Sequence, residues 1–143
     1  MSLAPFQNGQ IRIAGPRLVL GARAVSTLTL ALHELATNSL KYGALSSEQG
    51  SVTIAWSAET EDEPHIKFHW SEMGGPKVIE PKSRGFGSRV IEDTIKAEMQ
   101  GAAQLEFHPA GVRYEIFAPL RALVDNVDAY SGRKSMKIDA NQN

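Results

Sequence analysis

The sequence predicts an α+β fold in which helices cover one face of a mixed sheet of about five strands. Short runs of alternating apolar and polar residues come mostly in adjacent pairs, and two segments with helical periodicity lie between them. Glycine, proline and acidic clusters separate these runs, as turns do. Because such a sheet can bury only one face on two or three helices, we expect a two-layer α/β sandwich.

The first elements are predicted from turn signals and helical spacing. Residues 10–14 and 18–20 are predicted as short strands separated by the turn dipeptide Gly15-Pro16. Residues 24–42 are predicted as a helix because their apolar residues recur three or four positions apart, and Gly43 is well placed to end it. The apolar stripe expected to face the core consists of Val25, Leu28, Leu32, Leu35 and Ala36.

Two alternating runs then predict a hairpin. Residues 51–57 and 65–70 each alternate as half-buried strands do, and the acidic segment 59–64 connects them. A loop rich in glycine and proline follows over residues 74–84. The alternating apolar positions are Val52, Ile54, Trp56, Ile66, Phe68 and Trp70.

A second helix and a last hairpin complete the predicted fold. The helix covers residues 88–99 and ends at Gly101, and strands at 103–107 and 112–118 are joined by a turn at 109–111. In the helix we expect Val90, Ile91, Thr94 and Ile95 to face inward and Arg89, Glu92, Asp93 and Lys96 to face outward.

Composition bounds the class of protein. The 143 residues are 42% hydrophobic, which suits one globular domain, expected over residues 10–120. Residues 1–9 are interpreted as a linker or non-native remnant, and 121–143 as a flexible polar tail. A net charge of −1 does not suggest nucleic-acid or anionic-membrane binding. The absence of cysteine excludes disulfides and thiolate metal sites and fits a reducing, cytoplasmic compartment.

The first predicted helix carries polar residues at spacings that make them neighbours. Glu34 and Asn38 are four residues apart, and Lys41 follows three residues later. Carboxylate and amide oxygens suit Mg²⁺, which usually keeps waters and phosphates in its shell, and lysine can meet a phosphate as a point charge. This face can therefore hold a metal–nucleotide, although taken alone it is equally an ordinary solvated helix face.

Two loops carry further candidate chemistry. Glu72 follows a predicted strand and precedes Gly74 and Gly75, so its carboxylate can accept a hydrogen bond from an exocyclic amine while the glycines let backbone approach a flat ligand. Gly85 and Gly87 precede the second helix, whose free N–H groups and dipole favour an anion. Each motif alone is weak, since a turn or a flexible helix start explains it as well.

Together the three motifs resemble the ATP-binding domain of the GHKL superfamily, which includes the histidine kinases and the gyrase-type ATPases. They are most similar to the HWE group of bacterial sensor histidine kinases, because His33 matches the first motif and residues 70–72 match its Trp-x-Glu motif. The resemblance covers residues 10–120 and implies the Bergerat-type fold. The sequence departs from the common pattern at Pro76 and Arg89, where glycine is usual. The resemblance therefore does not predict the conformation of the lid.

The resemblance implies ATP and Mg²⁺ as ligands and a role for each motif residue. Asn38 would coordinate Mg²⁺, and Glu34 would be the catalytic residue, binding or polarising water near the metal and the γ-phosphate. Lys41 would contact phosphate, Tyr42 would line the adenine or ribose, and Glu72 would read the adenine amino group. The remaining nucleotide-binding positions are Gly74, Gly75, Gly85, Gly87 and Ser88, with residues 76–84 as a short lid.

The resemblance also implies partners. These are a histidine-containing dimerisation domain of the parent protein and the receiver domain of a response regulator. We expect the accepting histidine upstream of this chain, a monomeric isolated domain in a homodimeric parent, and no contact with nucleic acid or membrane. Two alternatives stay open: a degenerate module that only docks a response regulator, and an anti-sigma-type serine kinase. The role of His33, structural or functional, is also open.

Overall fold

The computed structural model describes residues 9–60, 62–80 and 86–124, and for residues 86–90 the backbone alone. Two helices, α1 and α2, lie on one face of a sheet, and 3-10 turns follow α1 at Ala44–Ser46 and the last strand at Leu120–Leu123. None of the described helices has the length and apolarity needed to cross a membrane. The main elements are β1 (Ile11–Ala14), α1 (Ala22–Tyr42), β2 (Ser51–Glu59), β3 (His65–Met73), α2 (Phe86–Met99), β4 (Ala102–His108) and β5 (Gly111–Pro119).

The sheet is mixed and has the strand order β1-β2-β3-β5-β4. β1 runs parallel to β2, and each of the other neighbouring pairs is antiparallel. Alternate residues of β3, such as Ile66 and Trp70, are buried beneath the helices, whereas Lys67 between them points to the open face. The predicted two-layer α+β architecture is therefore confirmed.

The core lies between the sheet and the helices. Trp70 and Val52 from the sheet and Ile95 and Met99 from α2 are at most 2% exposed. Trp70 pairs in register with Tyr114 of β5, which is also buried. The expectation that Trp70 belongs to the core is confirmed.

The apolar stripe predicted for α1 is confirmed except at its N-terminal end. Leu35 is buried and Leu28, Leu32 and Ala36 pack against the core, whereas Val25, also expected to face the core, is 48% exposed. The small side chain of Ala24 lets the helix approach its neighbours closely. Val25 is the next residue, so its side chain points about 100° away from that contact. The buried residues of α1 are Ala24, Thr27, Ala31, Leu35 and Ser39.

Several predicted boundaries also change. Residues 18–20 do not form a strand, because they run over the core with Leu18 and Leu20 packed against it. β3 continues to Met73, which places Glu72 inside the strand, and α2 begins at Phe86. The packed chain reaches the buried Leu123, three residues past the predicted domain boundary, and the Leu123 carbonyl accepts a hydrogen bond from Gly21 N–H at 2.8 Å.

Candidate functional site

A cavity of about 540 Å³ opens between α1, α2 and the β3–β5–β4 side of the sheet. It brings together four of the residues that the sequence singles out, from two different elements: Glu34, Asn38 and Tyr42 from α1, and Glu72 from β3. The other walls are mainly apolar, which suits a flat organic ligand. The remaining lining residues are Leu35, Gly43, Lys77, Val78, Ile79, Ile91, Glu92, Leu105, Phe107, Val112 and Tyr114.

The polar residues of α1 form one row along the cavity. Glu34, Asn38 and Tyr42 succeed one another at four-residue steps, so each lies one turn beyond the last. Glu34 and Asn38 are partly buried, whereas Tyr42 is 75% exposed at the cavity mouth. The predicted pairing of Glu34 with Asn38 at one site is therefore present in the fold.

Lys41 is not brought into this row. Its side chain is exposed and is absent from the described lining of the cavity, because the step from Asn38 to Lys41 turns it toward solvent. The lysine that does line the cavity is Lys77, in the segment after β3. Sequence reasoning missed Lys77, since only its position after the Gly74-Gly75 turn distinguishes it from other surface lysines.

Glu72 is the most constrained polar residue of the site. It is 5% exposed, and its carboxylate accepts three hydrogen bonds. Oε1 accepts from Ser39 Oγ and from Ala44 N–H, each at 2.9 Å, and Oε2 accepts from Trp70 Nε1–H at 2.9 Å. The predicted carboxylate at a strand end is thus a buried, hydrogen-bonded group on the inner face of β3.

Gly43 lines the cavity and explains how the carboxylate fits. It ends α1 as predicted, but its backbone is extended rather than left-handed, so conformational freedom is not the reason for glycine. A Cβ at Gly43 would lie within van der Waals overlap of Glu72 Oε1, at 2.3 Å. Glycine is required here because the carboxylate occupies the space beside it.

Gly74 and Gly75 do not line the cavity. Gly74 has φ +75, a left-handed conformation that glycine adopts without strain, and turns the chain at the end of β3. A Cβ on Gly75 would overlap the backbone of Ala44. Both glycines thus pack β3 against the α1–β2 connection, and a direct part in ligand binding stays a prediction for them.

The predicted anion site is only partly within the described residues. Gly85 lies outside them, as do residues 81–84 of the segment 76–84 predicted as a lid. The backbone of Gly87 and Ser88 forms the first turn of α2. Before that gap, Val78 N–H donates a hydrogen bond to the Pro109 carbonyl at 3.2 Å, which holds the start of the predicted lid against the β4–β5 turn. A role of Gly85, Gly87 and Ser88 in phosphate binding stays a prediction.

Besides Lys77, two further polar residues of the cavity, Glu92 and Tyr114, were not predicted as part of the site. Glu92, expected to face outward from α2, lines the cavity, because the cavity opens beside that face of the helix. Tyr114 of β5 is 2% exposed, and its hydroxyl has no hydrogen-bond partner among the described residues. Burial, and then the carboxylate of Glu92, raise the pKa of the Tyr114 hydroxyl above its ordinary value.

Tyr114→Phe is expected to stabilise the ligand-free protein, because it removes a buried hydroxyl that lacks a partner. The free energy of unfolding should rise by about 1 kcal/mol near neutral pH. Below about pH 10, the folded and the unfolded protein both keep the phenol proton of Tyr114. Above about pH 10 the unfolded chain loses that proton first. The free energy of unfolding of the wild type therefore falls as pH rises, by up to about 1.4 kcal/mol per pH unit. Urea unfolding at about pH 8 and about pH 11 should show the gap between the proteins widening with pH. A constant gap would contradict the raised pKa.

The histidines do not contribute to the cavity. His33 is exposed on α1, so it does not pack into the core, and its role stays open. His65 is held on the far face of the sheet by Glu59, with Nε2 and Oε2 2.9 Å apart. In the described part of the chain, no group of three or more histidine, aspartate or glutamate side chains could hold a metal ion by itself.

Comparison with known proteins gives the same family as the motifs. No family model matches the sequence. The blue-light-activated histidine kinases of Brucella ovis and Brucella abortus are each 40% identical to this chain over 124 residues, which are 83% of this chain and 25% of the relative. The chain therefore spans about a quarter of the length of these relatives.

Solved structures establish the fold. The histidine kinase domain of the Erythrobacter litoralis EL346 blue-light activated histidine kinase matches with a TM-score of 0.58 and 17% identity, over 80% of this chain and 57% of that chain. The catalytic domain of histidine kinase ThkA matches with a TM-score of 0.53 and 16% identity, over 80% of this chain and 82% of that chain. Sequence and fold agree: the chain is related to the blue-light-activated histidine kinases over the quarter of their length that it matches, and its fold is that of a histidine kinase catalytic domain.

Proposed function

We propose that this chain binds Mg-ATP in the cavity and acts as the catalytic domain of an HWE-type sensor histidine kinase. In this function the γ-phosphate passes to a histidine on a dimerisation domain of the parent protein, and from there to the receiver domain of a response regulator. The observation that carries the proposal is the convergence of Glu34, Asn38 and Glu72 on one mainly apolar cavity. The two alternatives from the sequence have no such support from the relatives, which are named histidine kinases.

The two ends of the cavity suit the two ends of a nucleotide. Glu72 contacts Ser39 and Ala44, so it lies at the C-terminal end of α1. Glu34 precedes Ser39 by five residues, which is about 7.5 Å along the helix axis. A base whose amino group meets Glu72, packed against apolar side chains such as Leu105 and Phe107, would direct its phosphates toward Asn38 and Glu34.

The residues present fit a magnesium ion that arrives with its nucleotide. Asn38 offers an amide oxygen as a direct ligand, and Glu34 offers a carboxylate that would bind a water near the ion. Mg²⁺ is commonly held by one or two protein oxygens together with phosphates and waters. When bound, the ion would neutralise phosphate charge. The chain itself would position the phosphates, with Lys77 of the lining as a cationic contact. A phosphate contact of Lys41, which is exposed and outside the described lining, stays a prediction.

Asn38→Ala tests the metal site. We expect the variant to lose roughly tenfold or more in affinity for Mg-ATP but to bind metal-free ATP about as well as wild type, because only the metal contact is removed. Calorimetric titrations with and without Mg²⁺ measure both affinities, and Thr37→Ala, next to it on α1 and outside the described lining, is the matched control. If wild type, folded by circular dichroism, binds neither form, the proposed function is wrong. Equal losses for both forms would exclude Asn38 as a metal ligand.

A further inference from the structure

Among the described residues, the hydrogen bonds of Glu72 leave one acceptor position unused. Oε1 accepts two hydrogen bonds, from Ser39 and Ala44, whereas Oε2 accepts one from the described part of the chain, from Trp70. An ionised carboxylate has about four acceptor sites, two on each oxygen. The remaining site is therefore on Oε2, on a side chain that lines the cavity.

The direction of each hydrogen bond is fixed by the surroundings. Ser39 is 1% exposed, and its Oγ accepts a hydrogen bond from Leu45 N–H at 3.1 Å. Its single proton is donated to Glu72 Oε1, because a carboxylate oxygen accepts and the Leu45 amide can only donate. The Trp70 indole and the Ala44 amide can only donate. Three donors from α1, the turn after it and β3 itself thus converge on one carboxylate.

This arrangement exceeds what packing alone requires. A buried carboxylate is costly even when it is hydrogen-bonded, and an apolar side chain would fill the same space at lower cost. The arrangement makes sense if the last acceptor position is completed by a ligand. A donor arriving from the cavity would then find the carboxylate already oriented, so little ordering would be needed on binding.

We propose that Ser39 and Trp70 are positioning residues for base recognition, which hold Glu72 so that Oε2 receives a single N–H donor from the ligand. The proposal rests on the proposed function and deepens it, because the 6-amino group of a purine supplies such a donor. Ser39 directly follows Asn38, so the same turn of α1 would align the base-reading carboxylate and the metal ligand.

The test compares Mg-ATP with the Mg complex of purine riboside triphosphate, which lacks only the 6-amino group. By calorimetry, wild type should bind ATP roughly tenfold more tightly than the analogue. In Ser39→Ala and in Trp70→Phe that ratio should fall to about threefold or less, while affinity for the analogue stays within about twofold of wild type. Trp56→Phe is the matched control, because its indole also donates one hydrogen bond, to the Pro16 carbonyl at 2.6 Å, but does not touch Glu72.

A second measurement does not depend on the variants folding. In the wild-type protein, the indole N–H signal of Trp70 should shift on binding ATP and shift less on binding the analogue, with Trp56 as the internal reference. The two variants could instead lose affinity by equal factors for both nucleotides, with no difference in the Trp70 signal between ATP and the analogue. That result would give Ser39 and Trp70 a merely structural role, and it would overturn this inference but not the proposed function. Binding of neither nucleotide by wild type would overturn the proposed function and the inference with it.

Discussion

Glu34→Ala should abolish transfer of the γ-phosphate to an added acceptor histidine while leaving ATP binding near the wild-type level. Glu34 lies in the cavity one turn before Asn38, at the end away from Glu72, where the transferred phosphate is expected. A residue that orients or deprotonates the attacking group contributes about 10²- to 10⁴-fold to the rate. A residue that only helps to hold the ligand would change affinity instead.

The measurement uses radiolabelled ATP and a dimerisation domain carrying the acceptor histidine, supplied in trans. Transfer should rise with acceptor concentration, because no tether raises its effective concentration. Glu48→Ala is the matched control, since Glu48 is an exposed glutamate after α1 and outside the cavity lining. Parallel losses of rate and ATP affinity would assign Glu34 to ligand binding rather than to the chemical step.

The chain alone should not become phosphorylated on histidine. None of the described histidines lines the cavity, so none is near the expected position of the γ-phosphate. Acid-labile label on the chain without acceptor, mapped to His33, His65, His69 or His108, would show that one of them reaches the site. That result would contradict the proposed division of labour between this chain and an acceptor domain.

Glu72→Ala should cause the largest combined loss of stability and base preference. It leaves three buried donors, from Ser39, Ala44 and Trp70, without their acceptor. We expect the free energy of unfolding to fall by about 2–4 kcal/mol. The preference for ATP over GTP should fall as well, since the carboxylate that accepts from adenine's amino group would meet guanine's carbonyl oxygen unfavourably, a mismatch of about 1–3 kcal/mol.

Urea unfolding and competition between ATP and GTP measure the two losses separately. Glu72→Gln keeps the size of the side chain but turns one acceptor into a donor, so it should lose base preference with a smaller loss of packing. Glu106→Ala, which removes an exposed glutamate on the open face of the sheet, is the control. Full ATP preference in a folded Glu72→Ala protein would place base selection elsewhere.

Local patterns determined most of the fold. Alternation predicted β2, β3, β4 and β5, and helical spacing predicted α1 and α2, because those periods follow directly from backbone geometry. The failures were local signals overruled by packing. Residues 18–20 have a strand-like composition but pack against the core without forming a strand, and Val25 turned outward because the smaller Ala24 allows closer contact.

The sequence by itself also singled out Glu34, Asn38 and Glu72, which line one cavity, through the spacing of the first two and the position of the third. Only the tertiary structure decided what surrounds them. Trp70 and Glu72 share one face of β3 because they are two residues apart, but Ser39 and Ala44 meet Glu72 because β3 lies beside the end of α1, and no local pattern encodes that contact. The same holds for Lys77, Glu92 and Tyr114, since residues far apart in sequence become neighbours only when the sheet order and the helix rotation are fixed.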